Sequence, residues 1–330
     1  MLSSLDFIIF FCYHIIMKKK INPYPYTDNN KRYLTFDRFT KVTYGRKCAK
    51  LPVDIGLSCP NIDGTKGAGG CIYCSGRGSG DFAASPSLSV TEQLDAAAEM
   101  IAGKWRGTGF IPYFQAHTNT YGDPEYLRRK FFEAAGYPGA VAVSIATRAD
   151  CLDGALGVIE ELSRVTDVYI ELGLQTASDE TAARINRCMT TEEFVRGWEL
   201  LSGLKVRRCI HIINGLPGED REQMLDTARF CASLRPDMVK IHMLYVTDGT
   251  VARRMYDDGE LPLLTLGEYV EITSEQLTYL PPETVIGRLT GDAPQGGLIA
   301  PEWTRKKICV LNEIDKYMYR RDLWQGKEYK

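Results

Sequence analysis

The chain has 330 residues, 44% of them hydrophobic and 25% charged, with a formal net charge of −2. That length can bury a large core, and the balanced charge excludes a globally basic nucleic-acid binder while leaving room for a local basic patch. Ten cysteines without an export signal point to a reducing, cytoplasmic compartment, where clustered thiols mean metal or catalysis more often than cross-links.

Residues 7–16, "FIIFFCYHII", form an apolar run of ten, well short of the about 20 residues that span a bilayer. No cleavage signature follows, and Met17 reads as a more natural start, so residues 1–16 read as an upstream extension outside the fold, with no membrane role. Residues 17–50 carry ten Lys or Arg against two Asp, a net of +8, interleaved with Tyr24, Tyr26, Tyr33, Phe36, Phe39 and Tyr44. Cations beside rings suit a nucleic-acid surface; a solvated strap over the core is the competing reading.

From residue 51 to about 290, β-rich runs alternate with helical stretches. Strands are predicted at 51–58, 110–116, 140–147, 167–176, 207–217 and 237–246. Helices are predicted at 90–105, opened by Thr91, and at 123–136, with Asp123 as N-cap and Pro124 in the first turn. Further helices are predicted at 154–165, 178–187, 190–203, 219–234 and 266–280. Strands alternating with helices of this length build right-handed βαβ units and a parallel sheet. Six units are too few for a closed eightfold barrel, so the expected fold class is α/β, a partial (βα)6 barrel. Residues 291–330 follow as a basic helical extension; from 301 onward it carries eight Lys or Arg against five acids. Ile308, Leu311 and Ile314 are its predicted docking face.

Within "LSCPNIDGTKGAGGCIYCSGRGSGDF" (57–82), Cys59, Cys71 and Cys74 follow the first strand, at the carboxyl edge where parallel α/β folds place their chemistry. Gly64, Gly67, Gly69 and Gly70 let this loop fold tightly around a bulky group. Three readings compete: structural thiols, a zinc site with His117 or another residue as fourth ligand, and an iron–sulfur cluster with one iron left open. The other cysteines are scattered singly, so no second metal pair is visible.

The spacing Cys59-x11-Cys71-x2-Cys74, with Tyr73 just before the last cysteine, and the strand–helix alternation resemble radical SAM enzymes. The wide first gap is similar to the branch containing the elongator catalytic subunit. "SIATRADCL" (144–152) resembles that group's third-strand signature. "ELGLQTASDETAARINR" (171–187) resembles the strand and helix that hold the S-adenosylmethionine (SAM) nucleoside and carboxylate. The opening and closing segments resemble a bacterial subgroup, some members of which are linked to wobble-uridine modification in tRNA. Two departures, Ala146 on the third strand and His211 on the fifth, argue against tetrapyrrole chemistry.

The resemblance implies a [4Fe–4S] cluster on Cys59, Cys71 and Cys74 that cleaves SAM reductively to a 5′-deoxyadenosyl radical. It also implies SAM contacts from Tyr73 in the cysteine loop, from Gln115 and Asn119 in a polar second-strand turn that includes Thr118 and Thr120, and from Gln175 and Arg187 of the 171–187 segment. The expected partners are tRNA and a flavodoxin- or ferredoxin-type electron donor. The implied reaction trims carboxymethylaminomethyl-uridine to aminomethyl-uridine. Radical chemistry on a protein side chain or metabolite, and a zinc-bound interaction module, are the alternatives.

Among the residues themselves, Glu171 sits mid-strand between apolar neighbours, as an interior carboxylate that needs a partner or a function. It is a catalytic candidate, with a salt bridge to Arg148 as the structural alternative. His211 is the second catalytic candidate, and with His242 it is expected to point into the barrel.

Overall fold

A computed structural model describes residues 21–78, 80–103, 107–292 and 296–330; the proposed extension 1–16 lies outside the described residues. Parallel strands β1 (Cys48–Val53), β2 (Gly109–Phe114), β3 (Ala142–Thr147), β4 (Asp167–Gln175), β5 (Arg207–Asn214) and β6 (Met238–Met243) lie in chain order, each hydrogen-bonded to the next. A short pair, β7 (Val246–Thr247) and β9 (Leu298–Ala300), stands apart. Between them in sequence, β8 (Val285–Arg288) joins the main sheet beside β6, so seven strands form it. The sheet curls into an open half-barrel, one strand more than the six-unit expectation.

The helices are α1 (Phe36–Tyr44), α2 (Val90–Ala102), α3 (Pro124–Ala135), α4 (Leu156–Ser163), α5 (Asp179–Arg184), α6 (Thr191–Leu200), α7 (Arg221–Ser233), α8 (Val251–Asp257), α9 (Leu266–Tyr279) and α10 (Lys307–Arg321). Their starts are written in the sequence. Asp123 accepts the Tyr126 amide at 2.9 Å at the head of α3, with Pro124 next, as expected. The cap of α2 is Ser89 rather than Thr91, in a reciprocal pair with Glu92. Thr190–Glu193, Asp220–Gln223 and Thr265–Glu268 repeat this capping box at α6, α7 and α9.

Under the strands' amino ends, half-buried Leu34, Phe36, Phe39 and Tyr44 pack against Cys48, Ile111, Tyr169 and Met238. The Tyr44 hydroxyl donates to Asp167 Oδ2 at 2.9 Å and lies 2.8 Å from the Tyr169 hydroxyl. The segment before α1 also pairs with the β8 edge, where the Ile286 amide donates to Leu34 at 2.8 Å. The described part of the N-terminal segment therefore plugs the barrel floor, closer to the strap reading than to a nucleic-acid surface. Tyr24 and Tyr33 are buried. Lys31 and Arg32 pair with Asp315 and Asp322 of the C-terminal segment, Arg38 with Asp28 and Lys41 with Asp37. These rings and charges are engaged in folding.

The C-terminal helix docks through two of the three expected residues, Leu311 and Ile314, while Ile308 turns outward. Val310, Ile314 and Met318 are buried whereas Ile308 is 75% exposed. The helical repeat of about 3.6 residues selects the four-residue spacing over the three-residue one.

Candidate functional site

Inward-facing side chains stack in layers inside the half-barrel, as strand alternation dictates. Above the apolar floor lies a polar layer: Lys50 (β1), Tyr113 (β2), Ser144 (β3), Glu171 (β4), His211 (β5) and Lys240 (β6). One step higher come Gln115 and His242, and above them the loop carrying Cys59, Cys71 and Cys74. A single cavity of about 220 Å³ runs from that loop down to Tyr113, Glu171, His211 and Lys240.

The cysteine loop is held by short-range chemistry. Backbone amides of Ile62 and Asp63 donate to the Cys59 carbonyl at 2.8 and 3.2 Å, and the Cys74 amide donates to Cys71 at 3.0 Å. This last turn brings Cys71 and Cys74 to one side. Asn186 Nδ2 donates to Ala68 and Gly70 at 3.0 and 2.7 Å, and Asn61 Nδ2 reaches the Asn186 carbonyl at 2.5 Å and Cys71 Sγ at 3.5 Å. A β-carbon on Gly67 would lie 2.3 Å from Asn61 Oδ1 and 2.7 Å from Cys188 Sγ, so only glycine lets these parts meet.

All three cysteines line the cavity, and no other cysteine is among its described lining residues. Cys48, Cys209 and Cys231 are buried in the core and Cys309 is exposed. Cys71 and Cys74 share a hydrogen bond that pulls the Cys71 thiol down to about 5, with Arg187 and Arg148 adding positive charge. The same hydrogen bond and burial push the Cys74 thiol up, so the pair shares one proton and Cys71 carries the thiolate, the form that binds metal. Three converging thiols in a glycine-rich loop, with buried and unpartnered His117 Nδ1 and Arg187 Nε facing the same cavity, fit a cluster plus a polar ligand.

The remaining predicted residues divide. Tyr73, Gln115, Gln175 and Arg187 line the cavity. Gln175 occupies a left-handed backbone conformation (φ 77) at a bulge in the β4–β5 pairing. A β-carbon on Gly173 would sit 2.5 Å from the Gln175 amide nitrogen, and Arg187 donates to the Gly173 carbonyl at 2.5 Å. The bulge and the bare glycine thus aim both polar side chains at the cavity. Asn119 is not a lining residue; its amide donates to the Ala146 carbonyl at 2.9 Å and ties the second-strand turn to β3. Thr120 likewise bonds Thr147 and the Cys151 carbonyl, whereas Thr118 lines the cavity.

Glu171 and His211 meet: His211 Nε2 lies 2.7 Å from Glu171 Oε2. The expected Glu171–Arg148 bridge does not form. Arg148 instead grips Asp150 with two 2.8 Å bonds, and Lys66 of the cysteine loop joins Asp150 at 2.6 Å. Against burial, Arg148 and Lys66 hold the Asp150 carboxyl at about 2. Glu171, 1% exposed, binds both Lys50 and Lys240 and accepts from Ser144 at 2.6 Å. Burial would raise its carboxyl; Lys240 and Lys50 overcome this and hold it well below the usual carboxylate range. Burial pushes Lys240 down to about 7 and His211 down to about 4. Glu171, Cys209 and His211 approach within 4.8 Å, but two ammonium groups on the carboxylate exclude a cation there.

Lys50 and Lys240 escaped the sequence reading. Lys50 was placed in the strap, although β1 begins at Cys48. Lys240 stands alone among apolar residues in "DMVKIHMLYV", two positions from His242, and that alternation was its available signal.

Among the described residues, no helix is long and apolar enough to cross a membrane. Residues 63–231 match the model of the radical SAM superfamily, and residues 236–320 match its C-terminal domain. The chain is 40% identical over 307 residues to an uncharacterized protein of Bacillus subtilis, YtqA, covering 93% of this chain and 95% of that one. It is 33% identical over 277 residues to the Escherichia coli protein YhcC, covering 83% and 88%. A tRNA uridine(34) acetyltransferase of Methanocaldococcus jannaschii is 32% identical over 189 residues, 56% of this chain but 34% of that protein. The solved structure of Methanocaldococcus infernus Elp3 superposes with a TM-score of 0.60 at 20% identity. The match covers 84% of this chain, and the chain spans 64% of that one. Three thiols on the carboxyl edge of a parallel half-barrel, matched by the family model over half the chain, set the zinc-module reading aside: the chain belongs to the radical SAM superfamily, whose members bind a [4Fe–4S] cluster and SAM.

Proposed function

We propose that this enzyme modifies the wobble uridine of tRNA, trimming carboxymethylaminomethyl-uridine to aminomethyl-uridine. The observation that carries the reading is the 32% identity between this barrel and a protein named for its action on tRNA uridine 34. Cys59, Cys71 and Cys74 hold the cluster, and Tyr73, Gln115, Gln175 and Arg187 meet SAM. When bound, the pair supplies a carbon radical that takes a hydrogen atom from a substrate C–H bond. The chain's own work is to orient the substrate arm and to keep water from the reacting carbon.

In the carboxymethylaminomethyl arm, the weakest C–H bonds belong to the methylene between nitrogen and carboxylate, where both neighbours stabilise a radical. Loss of hydrogen there leaves a radical on that carbon. Passing one electron to a one-electron acceptor of the flavodoxin or ferredoxin class and losing the nitrogen proton turns it into an imine. Water then hydrolyses the C=N bond, releasing the two-carbon fragment as an oxo acid and leaving aminomethyl-uridine. The nucleosides of a deletion strain test this reading. Carboxymethylaminomethyl-uridine should accumulate at the expense of aminomethyl-uridine and its derivatives, and the wild-type gene should reverse the change. An unaltered wobble profile would sink the proposal.

A further inference from the structure

The polar layer at the base of the cavity holds more positive than negative charge. Lys50 and Lys240 face one carboxylate, Glu171, while His211 is held neutral by burial and by the neighbouring lysines. Lys240 is 3% exposed yet lines the cavity, and its ammonium also lies 3.3 Å from the Tyr113 hydroxyl. On β8, in register with Lys240, Arg288 pairs with Asp292 at 2.7 Å, but Asp292 is shared with Lys307, so two cations again divide one carboxylate. His242 Nε2 is buried beside this wall without a hydrogen-bond partner. Asp81, another acid lining the cavity, lies within 3.4 Å of Ser75 in the cysteine loop. Burial relieves that excess by pushing Lys240 down to about 7, and an anion arriving with the ligand beside its ammonium restores the full charge.

We propose that the cavity floor binds the carboxylate of the substrate, with Lys240 as its principal contact and Arg288 and His242 on the adjacent wall. This rests on the wobble-uridine reading for the owner of that carboxylate, the carboxymethylaminomethyl arm. The site lies below the cysteine loop at the end of a narrow cavity. A slim arm ending in a carboxylate reaches it; a backbone phosphodiester, flanked by two riboses, does not. Seating the carboxylate on Lys240 leaves the adjacent methylene on the side facing the cysteine loop, where hydrogen is to be removed. The floor thereby distinguishes substrate from product, since aminomethyl-uridine has no carboxylate to offer.

The test is equilibrium binding of two synthetic anticodon stem-loops to the reconstituted enzyme without reductant. One carries carboxymethylaminomethyl-uridine and the other aminomethyl-uridine. The wild type should prefer the first by about tenfold or more, the scale of one charge-assisted hydrogen bond in a dry site. Lys240→Gln, which keeps a donor for Glu171 but removes the charge, should bind both stem-loops equally. Lys240→Arg should restore part of the preference. Undiminished preference in Lys240→Gln, or no preference in a wild type that converts the stem-loop, overturns the inference alone. If the wild type converts nothing, the wobble reading fails, and the floor is then judged with N-methylglycine against dimethylamine. A rise in Tm with N-methylglycine only, absent in Lys240→Gln, supports a carboxylate site; no rise overturns it.

Discussion

Replacing Cys59, Cys71 or Cys74 by alanine should each reduce bound iron to background after anaerobic reconstitution. Release of 5′-deoxyadenosine should fall on the order of a thousandfold or more, because two thiolates cannot hold a cubic cluster with an open iron. The effect should be all-or-none at each position, since the three thiols line one cavity that no other described cysteine reaches. Cys231→Ala and Cys309→Ala are the controls. The first sits on the buried face of α7 and the second on the surface, so both should keep wild-type iron. Cys151→Ala belongs with them: burial pushes its thiol up to about 12, far from the thiolate a ligand needs. An iron-loaded Cys59→Ala protein, or an iron-free Cys231→Ala protein, would refute the ligand assignment.

The second large effect concerns stability. Glu171→Leu removes the one carboxylate, among the described residues, bonded to both Lys50 and Lys240, and leaves two ammonium groups in the barrel interior. Breaking a buried ion network by deleting one partner costs about 3–5 kcal/mol, because the remaining charges stay buried. Urea unfolding should show that loss as a lower midpoint with an unchanged slope. The double substitution Glu171→Leu with Lys240→Met should recover part of it, since one stranded charge is then gone. A loss below about 1 kcal/mol, the scale of an exposed pair, would mean that water reaches this layer freely.

Much of this architecture was legible in the chain because its signals are local. Asp123 and Pro124 mark α3, and strand–helix alternation gives the parallel sheet. Cys71 and Cys74 stand one turn apart after β1. What escaped depends on contacts distant in sequence. The partner of Glu171 is not Arg148, four residues past Ser144 on the neighbouring strand, but Lys50 and Lys240, 121 and 69 residues away. The rings and cations near the N-terminus fit a nucleic-acid surface as well as a strap, because composition cannot tell one from the other. The structure buries Tyr33 and pairs Arg32 with Asp322, at the other end of the chain. Of the polar turn after β2, Gln115 and Thr118 reach the cavity while Asn119 and Thr120 brace β3. That division is set by the turn's path rather than by residue type.

The most direct measurement combines chemistry and substrate in one tube. Purified, reconstituted enzyme is incubated without oxygen with SAM, dithionite and tRNA bearing carboxymethylaminomethyl-uridine, and the nucleosides are then quantified. The account predicts aminomethyl-uridine rising in step with 5′-deoxyadenosine, and neither product with Cys71→Ala. Deoxyadenosine formed while the wobble nucleoside stays unchanged would contradict the tRNA assignment and point the radical at a different substrate.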